Sequence, residues 1–425
     1  MKDFDLFISD LAQLISYKSK AAAEENGAPF GAENKKALDF FLGKARQFGL
    51  ETINYDNYIG EAFIGDGEEI GIIGHLDVVP EGSGWKTPPF ELTFDGENYC
   101  GRGVSDDKGP LLCCLYALKD LAASGKKINK KFRIIAGCNE ETGWKDVEYF
   151  RTKSNFPEYG FSPDGDFPLS YAEKGMAIVE FYLPKFKNFS SVSGGTVINA
   201  VCGYAEMVQN TPIDDDKVKQ AGLKRENDKI ISVGKSCHGS RPELGKNAIL
   251  PLLKYALSCG EPIENVIDCL FCDKGGLKNI VTEQGDVTFS PDLISETEEN
   301  VVIKCDCRYP YPVKEERLDK IFASFGIPYK MSVKHGTQYV DKKSVMINVL
   351  LNAYNSYSDK KGEPISQCGS TFARVFEKGV AFGPEFPDKP SSIHEPNERV
   401  SKTDLIKTYE IYKKAIFDLN NTEKL

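Results

Sequence analysis

The sequence predicts an α/β protein carrying a separate, β-rich middle domain, and three observations lead there. Two compact apolar runs, Glu69-Ile70-Gly71-Ile72-Ile73-Gly74 and Lys131 to Gly137, each end in a polar loop and read as buried strands. Lys108 to Ala123, between them, has helical periodicity, so strand, loop, helix and strand follow in the order of an α/β layer. Between about Lys174 and Val340 the texture changes to longer β-rich runs, Met176 to Leu183, Ile230 to Val233 and Val301 to Cys305, separated by helices such as Asn247 to Cys259.

The remaining elements follow in chain order. Phe4, Phe7, Ile8, Leu11, Leu14 and Ile15 recur at helical spacing, and a second helix is expected over Asn34 to Phe48. Beyond the middle domain an apolar helical stretch, Val345 to Tyr357, is followed by a Gly/Ser loop, a short strand at Gly379 to Gly383 and a last helix from Thr403 to Leu419. This divides the chain into 1–173, 174–340 and 341–425, with the first and last parts forming one domain. The 425 residues fit that division at roughly 150 residues per domain.

Composition narrows the function. Lys and Arg number 53 against 63 Asp and Glu, a net charge of −10 with the signs interspersed, which argues against nucleic-acid binding. The longest nearly apolar stretch, Leu111 to Leu118, is far short of the roughly 18 residues that a membrane span needs. The opening Met1-Lys2-Asp3-Phe4-Asp5 has no signal-peptide pattern, so a soluble cytoplasmic protein is expected. The 12 Cys read mostly as buried free thiols, with Cys113 and Cys114 on an apolar helical face. Cys269-Leu270-Phe271-Cys272 has the spacing of a redox pair, but lacks the usual small or Pro-containing interior and a partner pair for zinc.

Only 4 His are present, so each position is informative. His75-Leu76-Asp77 follows a strand, and period-two spacing puts His75 and Asp77 on one side. An Asp there can accept the Nδ1 proton and leave Nε2 for a metal; a core histidine bonded to a local carboxylate would look the same. Gly101-Arg102-Gly103-Val104-Ser105-Asp106-Asp107-Lys108-Gly109 precedes a helix. It reads as an N-cap or an anion cradle, but two adjacent Asp suit a cation better. In Glu140-Glu141-Thr142-Gly143 neighbouring side chains diverge, so one carboxylate can ligate a metal while the other serves as a base; an ordinary acidic turn is the alternative. Asp164-Gly165-Asp166 and His394-Glu395-Pro396-Asn397-Glu398 add a carboxylate and an imidazole, each weak alone.

Together, and in this order, these segments resemble the aminoacylase and carboxypeptidase G superfamily of co-catalytic metallopeptidases. Ser162-Pro163-Asp164-Gly165-Asp166-Phe167-Pro168 and the long middle domain resemble its bacterial dipeptidase branch, peptidase V. The resemblance implies an α/β fold: a catalytic domain with a central mixed, largely parallel sheet flanked by helices, plus an inserted α+β lid domain. It implies two divalent metal ions, His75 and Asp164 on one, Glu141 and His394 on the other, and Asp106 bridging both. Asp77 would orient His75, Glu140 would deprotonate the attacking water, and the Asp106–Asp107 peptide would be cis. The mixed His and carboxylate set suits zinc, with manganese or cobalt compatible.

From the middle domain, His238 in Lys235-Ser236-Cys237-His238-Gly239 would donate to the oxyanion. Asn199 and Arg308 would hold the substrate's C-terminal carboxylate; without the resemblance Arg308 reads as a surface ion pair. Gly369 and Ser370 would line the substrate, where close approach favours glycine. His335 matches no motif and reads as a surface residue. The function implied is a metal-dependent dipeptidase, and the length of the lid implies a monomer that takes small peptides. A deacylase or a longer-chain carboxypeptidase or aminopeptidase is the alternative, and a non-catalytic metal or redox-binding protein a remote one.

Overall fold

A computed structural model describes residues Met1–Leu425. The chain divides into two units, Met1–Tyr171 with Tyr339–Ile365 and Thr371–Leu425, and Ala172–Gln338 with Ser366–Ser370.

The first unit is built on a mixed sheet. Six of its nine strands lie in the order Glu51–Tyr55, Ile59–Ile64, Lys131–Gly137, Glu69–His75, Tyr159–Ser162 and Lys378–Ala381. The first two pairings are antiparallel and the next three parallel. Strands covered on both faces need continuous apolar sequence rather than alternation. Ile70, Ile72, Ile73, Phe132, Ile134, Ile135 and Ala136 accordingly have no exposed surface. The helix Lys108–Ala123 is apolar nearly all round and buried along Leu111 to Leu118. The closing helix Lys402–Asn420 buries one face, through Leu405, Tyr409, Tyr412, Ile416 and Leu419. The last predicted strand begins and ends earlier than expected, at Lys378–Ala381, because Gly383 turns the chain with a φ of 69°.

The second unit is α+β. Eight antiparallel strands lie in the order Lys224–Glu226, Lys229–Val233, Tyr204–Gln209, Phe189–Gly194, Thr288–Glu296, Asn300–Tyr309, Gly175–Pro184 and Tyr329–His335. Strand Gly175–Pro184 alternates as a half-covered strand should, with Ala177, Val179, Phe181 and Leu183 buried. These residues share a core with Cys305, Cys307, Leu252, Ile267, Leu318 and Phe322, the last four from three helices. Asp306 and Arg308 pair with Ile178 and Met176, so they occupy the sheet face opposite that core.

Candidate metal centre

The parallel sheet sets the geometry of the site. His75 pairs with Gly137, so two strands end level, and Ile72 pairs with Phe161, so the third ends two residues short of them. The segments leaving these ends carry Asp77, Glu140, Glu141 and Asp164, at the edge where open parallel sheets place their sites. Asp106 lies just before the helix Lys108–Ala123, and the Asp106–Asp107 peptide is cis.

These residues converge. Asp106 Oδ1 is 2.9 Å from His75 Nε2, and its Oδ2 is 2.8 Å from His394 Nε2. His394 Nε2 also lies 3.2 Å from Glu141 Oε1, and His75 Nε2 lies 3.7 Å from Asp164 Oδ2. Donor atoms of His75, Asp106 and Glu141 fall within 4.8 Å of one another. The buried His75 Nε2 is close to Asp106 without the alignment of a hydrogen bond, so it faces carboxylate oxygens with no proper partner. An orphaned imidazole nitrogen among carboxylates is a donor set that fits a divalent cation.

The electrostatics agree. Burial, with neighbouring carboxylates, pushes Glu140 well above the ordinary range, and raises Asp164 to about 7. Glu141 is raised by burial and by Asp106. Asp106 moves down instead: burial opposes this, but the close His394 and His75 imidazoles outweigh it. Both imidazoles rise against burial, driven chiefly by Asp106, with His394 reaching about 11. A buried carboxylate cluster of this kind requires compensating positive charge, from imidazole protons or from cations.

Asp77 acts through two groups rather than one. Its carboxylate is 3.5 Å from His75 Nδ1, whereas its main-chain carbonyl is at 2.9 Å, and is the nearer acceptor. The carboxylate accepts instead from the backbone N–H groups of Glu140 and Glu141, both at 3.1 Å. Three further residues support the same loops, two of them, Trp144 and Asp146, unread in the sequence. The Trp144 indole donates to Glu140 Oε1 at 3.3 Å. Asp146 Oδ2 accepts from the Cys138 and Asn139 amides at 2.7 and 2.9 Å. Asp107 Oδ2 accepts from the His75 amide at 3.1 Å, an approach that needs glycine at 74, since a Cβ there would lie 2.0 Å from that oxygen.

The other candidates belong to the second unit. The Gly239 amide donates to the Asn199 carbonyl at 2.7 Å, and Ala200 bridges His238, so the Asn199 and His238 segments run side by side. His238 Nδ1 lies 2.6 Å from Ser240 Oγ. Arg308 is buried rather than a surface ion-pair residue: its Nε donates to both oxygens of Asp306, at 2.8 and 3.0 Å. Period-two spacing in Asp306-Cys307-Arg308 is the signal that could have revealed this partner. Ser370 Oγ is buried without a partner, while a Cβ at Gly369 would meet nothing within 4 Å, so no neighbouring protein atom requires glycine there. His335 is half-buried, not a surface residue; its carbonyl accepts from the Tyr309 hydroxyl at 3.3 Å. Cys269 is buried and Cys272 exposed, and both are free thiols.

Residues 71–418 match Peptidase family M20/M25/M40. A Staphylococcus aureus (strain MW2) protein named "Putative dipeptidase MW1694" is 30% identical, the match covering 98% of this chain and 97% of the relative. Among solved structures, human carnosine dipeptidase 1 is similar with a TM-score of 0.59 at 13% identity, covering 98% of this chain and 96% of that one. The Bacillus subtilis YXEP protein, described as a dinuclear metal binding peptidase, has a TM-score of 0.52 at 12% identity, with 97% and 98% covered. At these identities the structural likeness shows the fold.

Proposed function

Because the chain belongs to peptidase family M20/M25/M40, and is therefore a metallopeptidase, we propose that it is a dipeptidase that hydrolyses short peptides with a free C-terminus. The observation that carries the reading is Asp106, whose two oxygens face two different histidines. His75 and Asp164 would hold one divalent cation and Glu141 and His394 the other, with Asp106 shared. The names of MW1694 and of the YXEP protein support the dipeptide substrate and the dinuclear site respectively. No helix is long and apolar enough to cross a membrane, and the protein acts as a cytoplasmic monomer whose segment 174–340 serves as a lid.

When bound, zinc, or alternatively manganese or cobalt, supplies a water of lowered pKa and a polarised scissile carbonyl. The chain's own residues do the rest. Glu140 takes the proton of the attacking water and passes it to the leaving amine, held meanwhile by the Trp144 indole. Asp77 keeps the Glu140–Glu141 segment in place through its amides. His238 donates to the developing oxyanion. Asn199 and Arg308 bind the C-terminal carboxylate, and Asp306 on Nε fixes the plane of the guanidinium. Gly369 and Ser370 line the substrate.

A panel of dipeptides, dipeptide amides and tetrapeptides tests this on metal-loaded protein. Amidation removes one charged hydrogen-bond partner of buried Arg308, which keeps Asp306 as its counter-charge, costing about 1.5–3 kcal/mol, or roughly 10–100-fold in kcat/KM. Arg308→Ala is expected to erase most of that discrimination. Equal cleavage of amides and acids, or of tetrapeptides and dipeptides, would favour the deacylase or the longer-chain carboxypeptidase or aminopeptidase instead.

A further inference from the structure

Glu398 and Arg102 lie outside the proposed ligand set, yet they are 0% and 1% exposed. Glu398 Oε2 accepts from Arg102 Nη1 at 2.8 Å and from the Gly103 amide at 3.0 Å. Its Oε1 accepts from the Ser105 amide at 2.9 Å and the Asp106 amide at 3.2 Å. One carboxylate therefore satisfies a guanidinium and three main-chain N–H groups of the turn that presents Asp106. The Glu398 carbonyl accepts from the Gly101 amide at 3.1 Å, continuing the antiparallel pairing of Arg399–Ser401 with Asn98–Cys100. Arg102 stacks over Trp85 at 5.2 Å, and its Nη2 lies 3.5 Å from the carbonyl oxygens of Pro80, Glu81 and His394. The segment before Trp85, the Asp106 turn and the His394 loop thus meet on one buried ion pair.

We propose that Glu398 is a positioning residue for the metal centre: paired with Arg102, it fixes both the shared ligand Asp106 and the loop carrying His394. The inference rests on the metallopeptidase reading above. A shared carboxylate must aim its two oxygens in two directions at once, so its main chain has to be held. Glu398 holds it at the Asp106 amide itself, from a position four residues beyond His394. Loss of such an outer partner lowers metal affinity by about 10–100-fold in comparable sites.

The test measures Zn²⁺ affinity of the full-length, demetallated chain by competition with a chelator, below the unfolding midpoint of each variant. Glu398→Gln alone leaves Arg102 buried without a counter-charge and can fail to fold. The second variant, Arg102→Met with Glu398→Gln, removes both charges at similar volume. Zn²⁺ binding about 10–100-fold weaker than wild type is expected. A merely structural pair would lower the unfolding midpoint and leave Zn²⁺ affinity unchanged, and wild-type affinity in the folded double variant overturns the proposal. If the wild-type chain itself binds no Zn²⁺, the metal reading fails, and this inference with it.

Discussion

Glu140→Gln is expected to lower kcat by about 10²–10⁴-fold, the usual contribution of a positioned general base, while the protein still takes up two divalent ions per chain. The amide matches the carboxylate in size, and its oxygen can still accept from the Trp144 indole, so the loop should hold its shape. Glu141, the proposed ligand, and the Asp77 carboxylate, which accepts from both amides, are untouched. What is lost is a group able to take a proton, and burial among carboxylates already holds Glu140 in the direction that favours taking one. Steady-state kinetics together with metal analysis check this. Near-wild-type turnover with two ions bound would remove Glu140 from the role of base.

His238→Ala is expected to lower kcat by about 10²–10³-fold, as loss of one oxyanion donor does elsewhere, with KM and metal content little changed. The negative charge on the carbonyl oxygen develops only towards the transition state, so a donor aimed there contributes to kcat rather than to ground-state binding. The His238 segment is held independently of its imidazole, by the Gly239 amide on the Asn199 carbonyl and the Ala200 bridge, so truncation should leave it in place. A variant that loses its metals would make His238 a ligand. One that raises KM alone would make it a ground-state contact.

The elements that position the metal centre were legible because their signals are local. Glu69–His75 and Lys131–Gly137 announce themselves as apolar runs, and Lys108–Ala123 by period, with the helix bounds matching the expected ones. His75 closes its strand and Asp106, Glu141, Asp164 and His394 sit in loops, so all were visible as polar breaks after apolar sequence. The supporting contacts were not. Glu398 and Arg102 are 296 residues apart, and Asp77 reaches amides 63 and 64 residues away. Such pairings depend on register and turn geometry, which no local pattern encodes. Trp144, at a φ of 64°, reads in sequence as an ordinary aromatic beside a turn. The Asp306–Arg308 pair is different, since its spacing along one strand could have been read.

The proposed sharing of Asp106 by two divalent ions is tested most directly by stoichiometric reloading of the demetallated chain with Zn²⁺, following bound metal and dipeptide hydrolysis together. The demetallated chain should stay folded, because the proposed ligands lie at a strand end and in loops rather than in the core of the sheet, and should show no hydrolysis. Activity should return in step with uptake of two equivalents per chain, and Asp106→Asn should bind neither tightly. Full hydrolysis by thoroughly demetallated protein, or saturation of binding at one equivalent with full activity, would contradict the account.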